Sequence, residues 1–271
     1  MGPNEVRRQQ TLEALGVTRW TLRKSGAEAV LEAGLTTARE VPLLTPSRDH
    51  PPTSNPSLAA HPEIRPEPAA TSPETAGPRT AELDWEALAV RVAACTACEL
   101  HQGRTQTVFG VGHRQAQWMV IGEAPGAEED KRGEPFVGRA GQLLTAMLGA
   151  TGLPRPEVYI ANILKCRPPG NRDPRPEEVA QCEHFLARQI ALVQPRLILA
   201  VGRIAAQNLL KVQTPLSRLR GHRHSYGPLE VPVVVTYHPA YLLRSPGEKR
   251  RAWEDLQFAR QIFAAQTGPS T

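Results

Sequence analysis

The chain of 271 residues reads as an α/β protein: a parallel β-sheet of four strands with helices on both faces. Two observations predict this. Short apolar runs stop abruptly at Gly, Asn or His: Trp118–Ile121 before Gly122, EVYIANIL at 157–164, Arg196–Val201 before Gly202, and Val231–Thr236 before Tyr237-His238. Between them lie longer stretches with helical spacing of apolar residues, and strands alternating with helices imply βαβ units. A third observation bounds the folded part. Ten of the forty residues from Val41 to Thr80 are Pro, and such a segment buries too little apolar surface to offset its ordering entropy. Residues 1–80 are therefore read as a disordered extension and 81–266 as one domain long enough for a well-buried core.

In order, Glu5–Arg23 (EVRRQQTLEALGVTRWTLR) offers an amphipathic segment with Leu12, Leu15, Val17, Trp20 and Leu22 as its apolar set. With no core of its own beside it, this segment reads as a docking motif for a protein partner. The domain opens with a helix over Asp84–Ala94, N-capped around Asp84, which delivers Cys95 and Cys98 in a CTAC turn. After the strand at 118–121 come the irregular Gly122-Glu123-Ala124-Pro125-Gly126 turn, the acids Glu128, Glu129 and Asp130, and Pro135-Phe136. Helices are expected over 139–151, 176–193 (carrying Cys182), 204–210 and 249–265. The second strand runs into Lys165-Cys166-Arg167-Pro168-Pro169. There is no internal repeat.

The net charge is +5, and its distribution says more than its size. Ten Lys or Arg fall between Arg196 and Arg251, against Glu230 and Glu248 alone. Such a stripe is the footprint of a nucleic-acid binder. No apolar run reaches membrane-spanning length and no signal-peptide core opens the chain, so a cytoplasmic protein is expected. In that compartment the four cysteines are not read as disulfides. Cys95-x-x-Cys98, then Cys166, then Cys182 suggest a four-cysteine metal site. Zinc and an iron–sulfur cluster both remain open on spacing alone.

In a parallel sheet the carboxyl ends of the strands share one edge, where ligands bind. That edge would gather Glu123, Asn162 and His238. The Asn amide both donates and accepts, matching the O4 and N3–H edge of uracil. Histidine can donate to a developing anion, and Phe136 offers a face for a base to stack on. Together they make a nucleobase pocket. A non-catalytic, four-cysteine DNA-binding module would explain the charge and the cysteines, but not these side chains together.

The motifs GEAPGAEED (122–130), EPFVGRAGQLL (134–144), NILKCRPPGNRDP (162–174) and HPAYLLR (238–244), with the cysteine spacing, closely resemble family 4 uracil-DNA glycosylases, the iron–sulfur class. The resemblance runs from Cys95 to about Phe258 and leaves residues 1–80 uncovered. It implies a uracil-DNA glycosylase-like three-layer fold on a central four-stranded parallel sheet. It also implies a [4Fe–4S] cluster on Cys95, Cys98, Cys166 and Cys182, shaping DNA-contacting loops rather than doing redox chemistry. Gly122, Glu123 and Ala124 would line the uracil pocket, Phe136 would stack on the base, Asn162 would read its edge and His238 would stabilise the leaving anion. Tyr241, Leu242 or Leu243 would wedge into the minor groove, with Arg244 near phosphate. The expected activity is hydrolysis of the N-glycosidic bond of uracil flipped out of DNA, in base excision repair. The protein would act as a monomer, associated with the nucleoid through its DNA substrate. Glu123 is the first choice for steering water, with Glu129 or Asp130 sharing that role, and the residues after Gly126, near Ala127 and Glu128, would exclude thymine.

Overall fold

A computed structural model describes residues 80–266; the segment 5–23 and the Pro-rich stretch to residue 79 lie outside the described residues. Helix α1 (Trp85–Ala93) starts at Asp84, whose carboxylate accepts the Ala87 N–H at 2.8 Å. A single turn, α2 (Leu100–Gly103), follows the CTAC segment. Strand β1 (Val111–Gly112) precedes β2 (Trp118–Gly122). Next come α3 (Ala127–Arg132), α4 (Arg139–Ala150) and β3 (Tyr159–Asn162). Helix α5 (Pro176–Val193) begins with Pro at its first position, where a missing N–H costs nothing. The chain closes with β4 (Leu197–Val201), α6 (Arg203–Leu210), α7 (Leu216–Leu219), β5 (His224–Tyr226), β6 (Val231–Thr236), α8 (Pro239–Arg244) and α9 (Lys249–Ala265).

The sheet has six strands in the order β1-β3-β2-β4-β6-β5, not four. The four expected strands form its parallel centre, β3-β2-β4-β6. The additional β1 and β5 pair antiparallel at the two edges. Two or three residues are too few to show an apolar alternation, and β5 reads His-Ser-Tyr between Arg223 and Gly227. Short strands of this kind blunt the exposed edges of a sheet. The second strand is also shorter than expected, because Arg155–Glu157 make a 3₁₀ turn before it.

Both faces of the centre are covered, which is why its strands read as near-continuous apolar runs. Met119, Ile121, Tyr159, Ala161, Ile198, Ala200, Val233 and Val235 face one way, with Leu88 and Val92 of α1, Phe185 and Ile190 of α5 and Ala205 of α6 in the same core. The alternate residues Trp118, Val120, Ile160, Leu197, Leu199 and Val234 face the other way, with Leu144 and Leu148 of α4 and Leu256 and Ala259 of α9. Because the four central strands run parallel, the carboxyl ends of β3, β2, β4 and β6 lie along one edge of the sheet.

Candidate active site and cysteine cage

A cleft of about 450 Å³ opens at that edge, and Glu123, Ala124, Glu129, Phe136, Asn162, His238, Tyr241 and Arg244 all line it. The structure thus brings together side chains far apart in the chain. Gly122 and Asn162 are register partners across β2 and β3. A Cβ on Gly122 would meet Asn162 Oδ1 at 2.5 Å and the Phe136 ring at 2.6 Å, so glycine here is what lets the amide and the ring approach. Beyond Asn162 the chain stays stitched to β2: the N–H groups of Ile163 and Leu164 donate to the carbonyls of Gly122 and Glu123 at 2.9 and 3.0 Å. The Asn162 side chain is buried, and its Oδ1 has no hydrogen-bond partner among the described residues. A buried acceptor left unmade costs roughly 1–3 kcal/mol, so this oxygen marks a place for a donor from outside the protein.

Phe136 takes a left-handed backbone conformation (φ 55°). Glu129 holds the loop around it, accepting from the N–H groups of Val137 and Gly138 at 2.9 and 3.0 Å. A side chain on Gly141 would run into the Phe136 carbonyl. The ring sits 5.7 Å from that of His238, tilted by 32°. His238 caps α8, its Nδ1 accepting the Ala240 N–H at 3.1 Å, which leaves Nε2 to carry the ring proton. Burial, with Arg244 adding to it against Glu129, lowers its pKa to about 4. His238 is therefore neutral at physiological pH and a donor through Nε2. Burial, reinforced by Asp173 and opposed by Arg203, raises Glu123 to about 7. A carboxyl group that changes protonation near neutrality, inside a cleft, is suited to proton or water handling.

Other expected residues are placed less simply. The HPAYLLR stretch is a short helix rather than a loop, because His238 caps it and Pro239 starts it. Leu242 is 1% exposed, whereas Tyr241 and Leu243 are each 36% exposed. Asp130 spends both oxygens on the backbone and hydroxyl of Thr105, at 2.7–3.1 Å. The Glu128 carboxylate faces Lys131 at the surface. The basic stripe is partly neutralised: Arg203 by Asp173, Lys211 by Glu183 and Arg220 by Asp255, all distant in sequence, and Arg250 by Glu254 one helical turn on. Arg220 also stacks 4.0 Å over Tyr237 and, with the buried Asp255, braces the entry to α8. Sequence reasoning missed Arg172 and Asp173, which line the cleft or bear on Glu123 from the turn after Cys166; the GNRDP composition was the available signal.

The four cysteines surround one small cavity, with Leu100, Arg104, Lys165 and Phe185 completing its wall. None is in a disulfide. Arg104 donates to Cys166 Sγ at 3.2 Å and the Lys165 N–H to Cys182 Sγ at 3.3 Å. Burial pushes the thiols of Cys98 and Cys166 up and that of Cys182 to about 12. Among the described residues no set of three or more His, Cys, Asp or Glu is arranged to hold a single metal ion. No helix among them is long and apolar enough to cross a membrane.

The parallel-centred sheet carries its cleft at the carboxyl edge, and the sequence comparisons supply the class: residues 109–257 match the model of the Uracil DNA glycosylase superfamily. The type-4 uracil-DNA glycosylase of Archaeoglobus fulgidus is 48% identical over 162 residues, covering 57% of this chain and 81% of that protein. That of Thermotoga maritima is 43% identical over 195 residues, covering 68% and 97%. The type-5 uracil-DNA glycosylase of Pyrobaculum aerophilum is more distant, at 34% over 172 residues, covering 58% and 75%. The chain belongs to the type-4 uracil-DNA glycosylase family.

Proposed function

We propose that this protein removes uracil from DNA by hydrolysing its N-glycosidic bond, leaving an abasic site for repair. The observation that carries the reading is the buried, unpartnered Asn162 Oδ1 at the floor of the cleft. Extruding a base costs a few kcal/mol, least for a mismatched one. Once extruded, uracil stacks on Phe136, gives its N3–H to Asn162 Oδ1 and takes the amide N–H at O4. Cleavage leaves charge on the uracil ring, and His238, neutral and donating through Nε2, meets that charge. One pre-aimed donor is typically worth roughly 3–4 kcal/mol in such a role. Glu123 orients the attacking water and faces the cation-like sugar; Glu129 holds the Phe136 loop, and Asp130 is committed to Thr105. Ala124 and Gly122 form the wall beside the base. Of the three candidate wedges, Tyr241 and Leu243 reach solvent and Leu242 anchors α8 from below; Arg244 stands at the rim for phosphate.

A uracil-containing single-stranded oligonucleotide, treated with enzyme and then alkali, should break at the uracil. An intact strand would favour the non-catalytic DNA-binding module instead.

The cysteine cage fits a [4Fe–4S] cluster better than zinc. Zinc would draw all four sulfurs to one point about 2.3 Å from each, and no such grouping is found among the described residues, whereas a cluster takes one thiolate at each corner. Cys95, Cys98, Cys166 and Cys182 would hold it, with Arg104 and the Lys165 amide bonded to two of the sulfurs. Bound there, it would serve a structural role, tying together the CTAC turn, the loop after β3 and helix α5.

The pH dependence follows from Glu123. Its water-steering form is the carboxylate, so single-turnover excision should rise with pH and level off above about 7; Glu123→Gln should be slow and flat with pH. Stability should move oppositely. Because the folded pKa lies above the unfolded value, the folded state binds more protons between the two, and stability falls as pH rises through that window. Glu123→Gln should therefore be more stable than the parent at pH 8, with the two converging near pH 4. A Glu123→Gln rate that keeps the parent's pH profile would reassign the titrating group.

We further place the catalytic unit in residues 81–266 and read 1–80 as an extension whose segment 5–23 docks a protein partner. Among the described residues every cleft-lining side chain lies within 81–266, and so do all four cysteines of the sequence. Removing residues 1–80 should leave excision on short oligonucleotides nearly unchanged; loss of activity in a folded truncation would overturn this boundary.

A further inference from the structure

One buried cation is not used by the chemistry above. Lys165 is 1% exposed, although it lies only three residues beyond Asn162. Lysine is almost never fully buried unless its charge is partnered, and a Met or Leu would fill the same space without that cost. Its ammonium donates to the main-chain carbonyl of Asn162 at 3.0 Å and to Gln189 Oε1 at 2.6 Å. Gln189, wholly buried on α5, donates in turn to the Phe109 carbonyl at 2.9 Å and the Tyr159 hydroxyl at 3.0 Å. The lysine main chain is fixed as well, its carbonyl accepting from Val108 N–H at 2.8 Å and its N–H donating to Cys182 Sγ.

We infer that Lys165 and Gln189 form a strut that positions the uracil-reading amide of Asn162. The reasoning is geometric. Asn162 is the last residue of β3; β1 pairs only with Tyr159 and Ile160, so the Asn162 main-chain carbonyl takes its bond from Lys165 rather than from a strand, and a reading amide has to be held to within about half an ångström. The strut supplies that hold from below, and its far end is α5, the helix that carries Cys182. The cysteine cage and the base pocket are thereby joined through one buried side chain, which gives a structural centre a direct bearing on base recognition.

This rests on the assignment of Asn162 as the uracil reader, so the experiment separates the two. Free uracil and a duplex with a stable abasic-site analogue are bound to the full-length, cluster-loaded protein and to four variants, with iron content and melting temperature measured alongside. Lys165→Met should weaken uracil binding about tenfold, or 1.4 kcal/mol, while abasic-duplex affinity and iron content stay at parent levels. Gln189→Met should weaken uracil less, because one of the two lysine bonds survives. Gln189→Glu keeps an acceptor for the ammonium but sets a carboxylate oxygen against the Phe109 carbonyl in place of the amide N–H, so it should bind uracil no better than Gln189→Met. Asn162→Ala should lose uracil binding altogether. If Asn162→Ala binds uracil normally, the pocket reading falls; if it does not but Lys165→Met does, only the strut falls. Parallel loss of uracil binding, duplex binding and iron in Lys165→Met would reduce the residue to a general core role. Should Lys165→Met fail to fold, Gln189→Met decides: selective weakening of uracil supports the strut, and parent-like binding overturns it.

Discussion

Replacing Asn162 with Ala should cut single-turnover uracil excision by about 10²–10³-fold, the usual loss when a pre-aimed polar group is removed from such a site, while leaving DNA affinity largely unchanged. The asymmetry comes from where the residue sits. Asn162 is buried at the end of β3, whereas Tyr241 and Leu243, proposed to meet the duplex, reach solvent. Its amide also sets the base choice. Cytosine offers a donor at C4 and an acceptor at N3, reversing both partners of the amide, and each buried mismatch costs roughly 1–3 kcal/mol. Thymine presents the same edge as uracil, so a wall must exclude its 5-methyl group. Sequence reasoning put that wall near Ala127 and Glu128, but the residues lining the cleft there are Pro125, Gly126 and Glu129. Trimming Glu129 to Ala should raise the ratio of thymine to uracil excision, at a cost to both because the Phe136 loop loosens. Excision rates on uracil and thymine oligonucleotides measure both effects. Near-parent uracil excision by Asn162→Ala would remove the pocket assignment.

The sequence carried the parallel centre of the fold because four strands buried on both faces must be apolar throughout, and a run such as RLILAV followed by Gly has few other readings. It carried Glu123, Asn162 and His238 for a related reason: in a parallel sheet, strand ends share an edge whatever the strand order. It did not carry β1 and β5, which are held by pairing with a neighbour rather than by a pattern of their own. Glu129 and Asp130 could not be told apart from adjacent letters, yet one holds the Phe136 loop and the other binds Thr105. The window that defined the basic stripe left out Asp173, Glu183 and Asp255, which pair with its members only in three dimensions, and Glu254, which pairs with Arg250 one helical turn away. Lys165 and Gln189 are 24 residues apart and polar, and nothing in either local pattern announces burial.

Cys166→Ser should lose iron and solubility together, the largest effect expected of any single change here. Cys166 is buried in the loop after β3, bonded to Arg104, and faces Cys182 on α5 and the CTAC turn across one cavity. Besides the sulfurs, the loop is tied to α5 by the Lys165–Gln189 bond and to the end of α1 by Arg104. Where ligands come from separate segments, metal-binding free energy is in large part folding free energy, and a serine hydroxyl is a much poorer ligand for iron than a thiolate. Loss of one corner would free the CTAC turn from the loop, expose Leu100 and Phe185 from the cavity wall and leave the Arg104 guanidinium without its sulfur partner. The same loss would loosen the loop that begins at Asn162, so any soluble fraction should excise uracil poorly. The parent should be brown, with broad visible absorption, and the variant colourless and aggregated; iron analysis and centrifugation after expression measure both. A Cys166→Ser protein that stays soluble with full iron content would show that Cys166 is not a ligand, and a parent that binds zinc and no iron would replace the cluster itself.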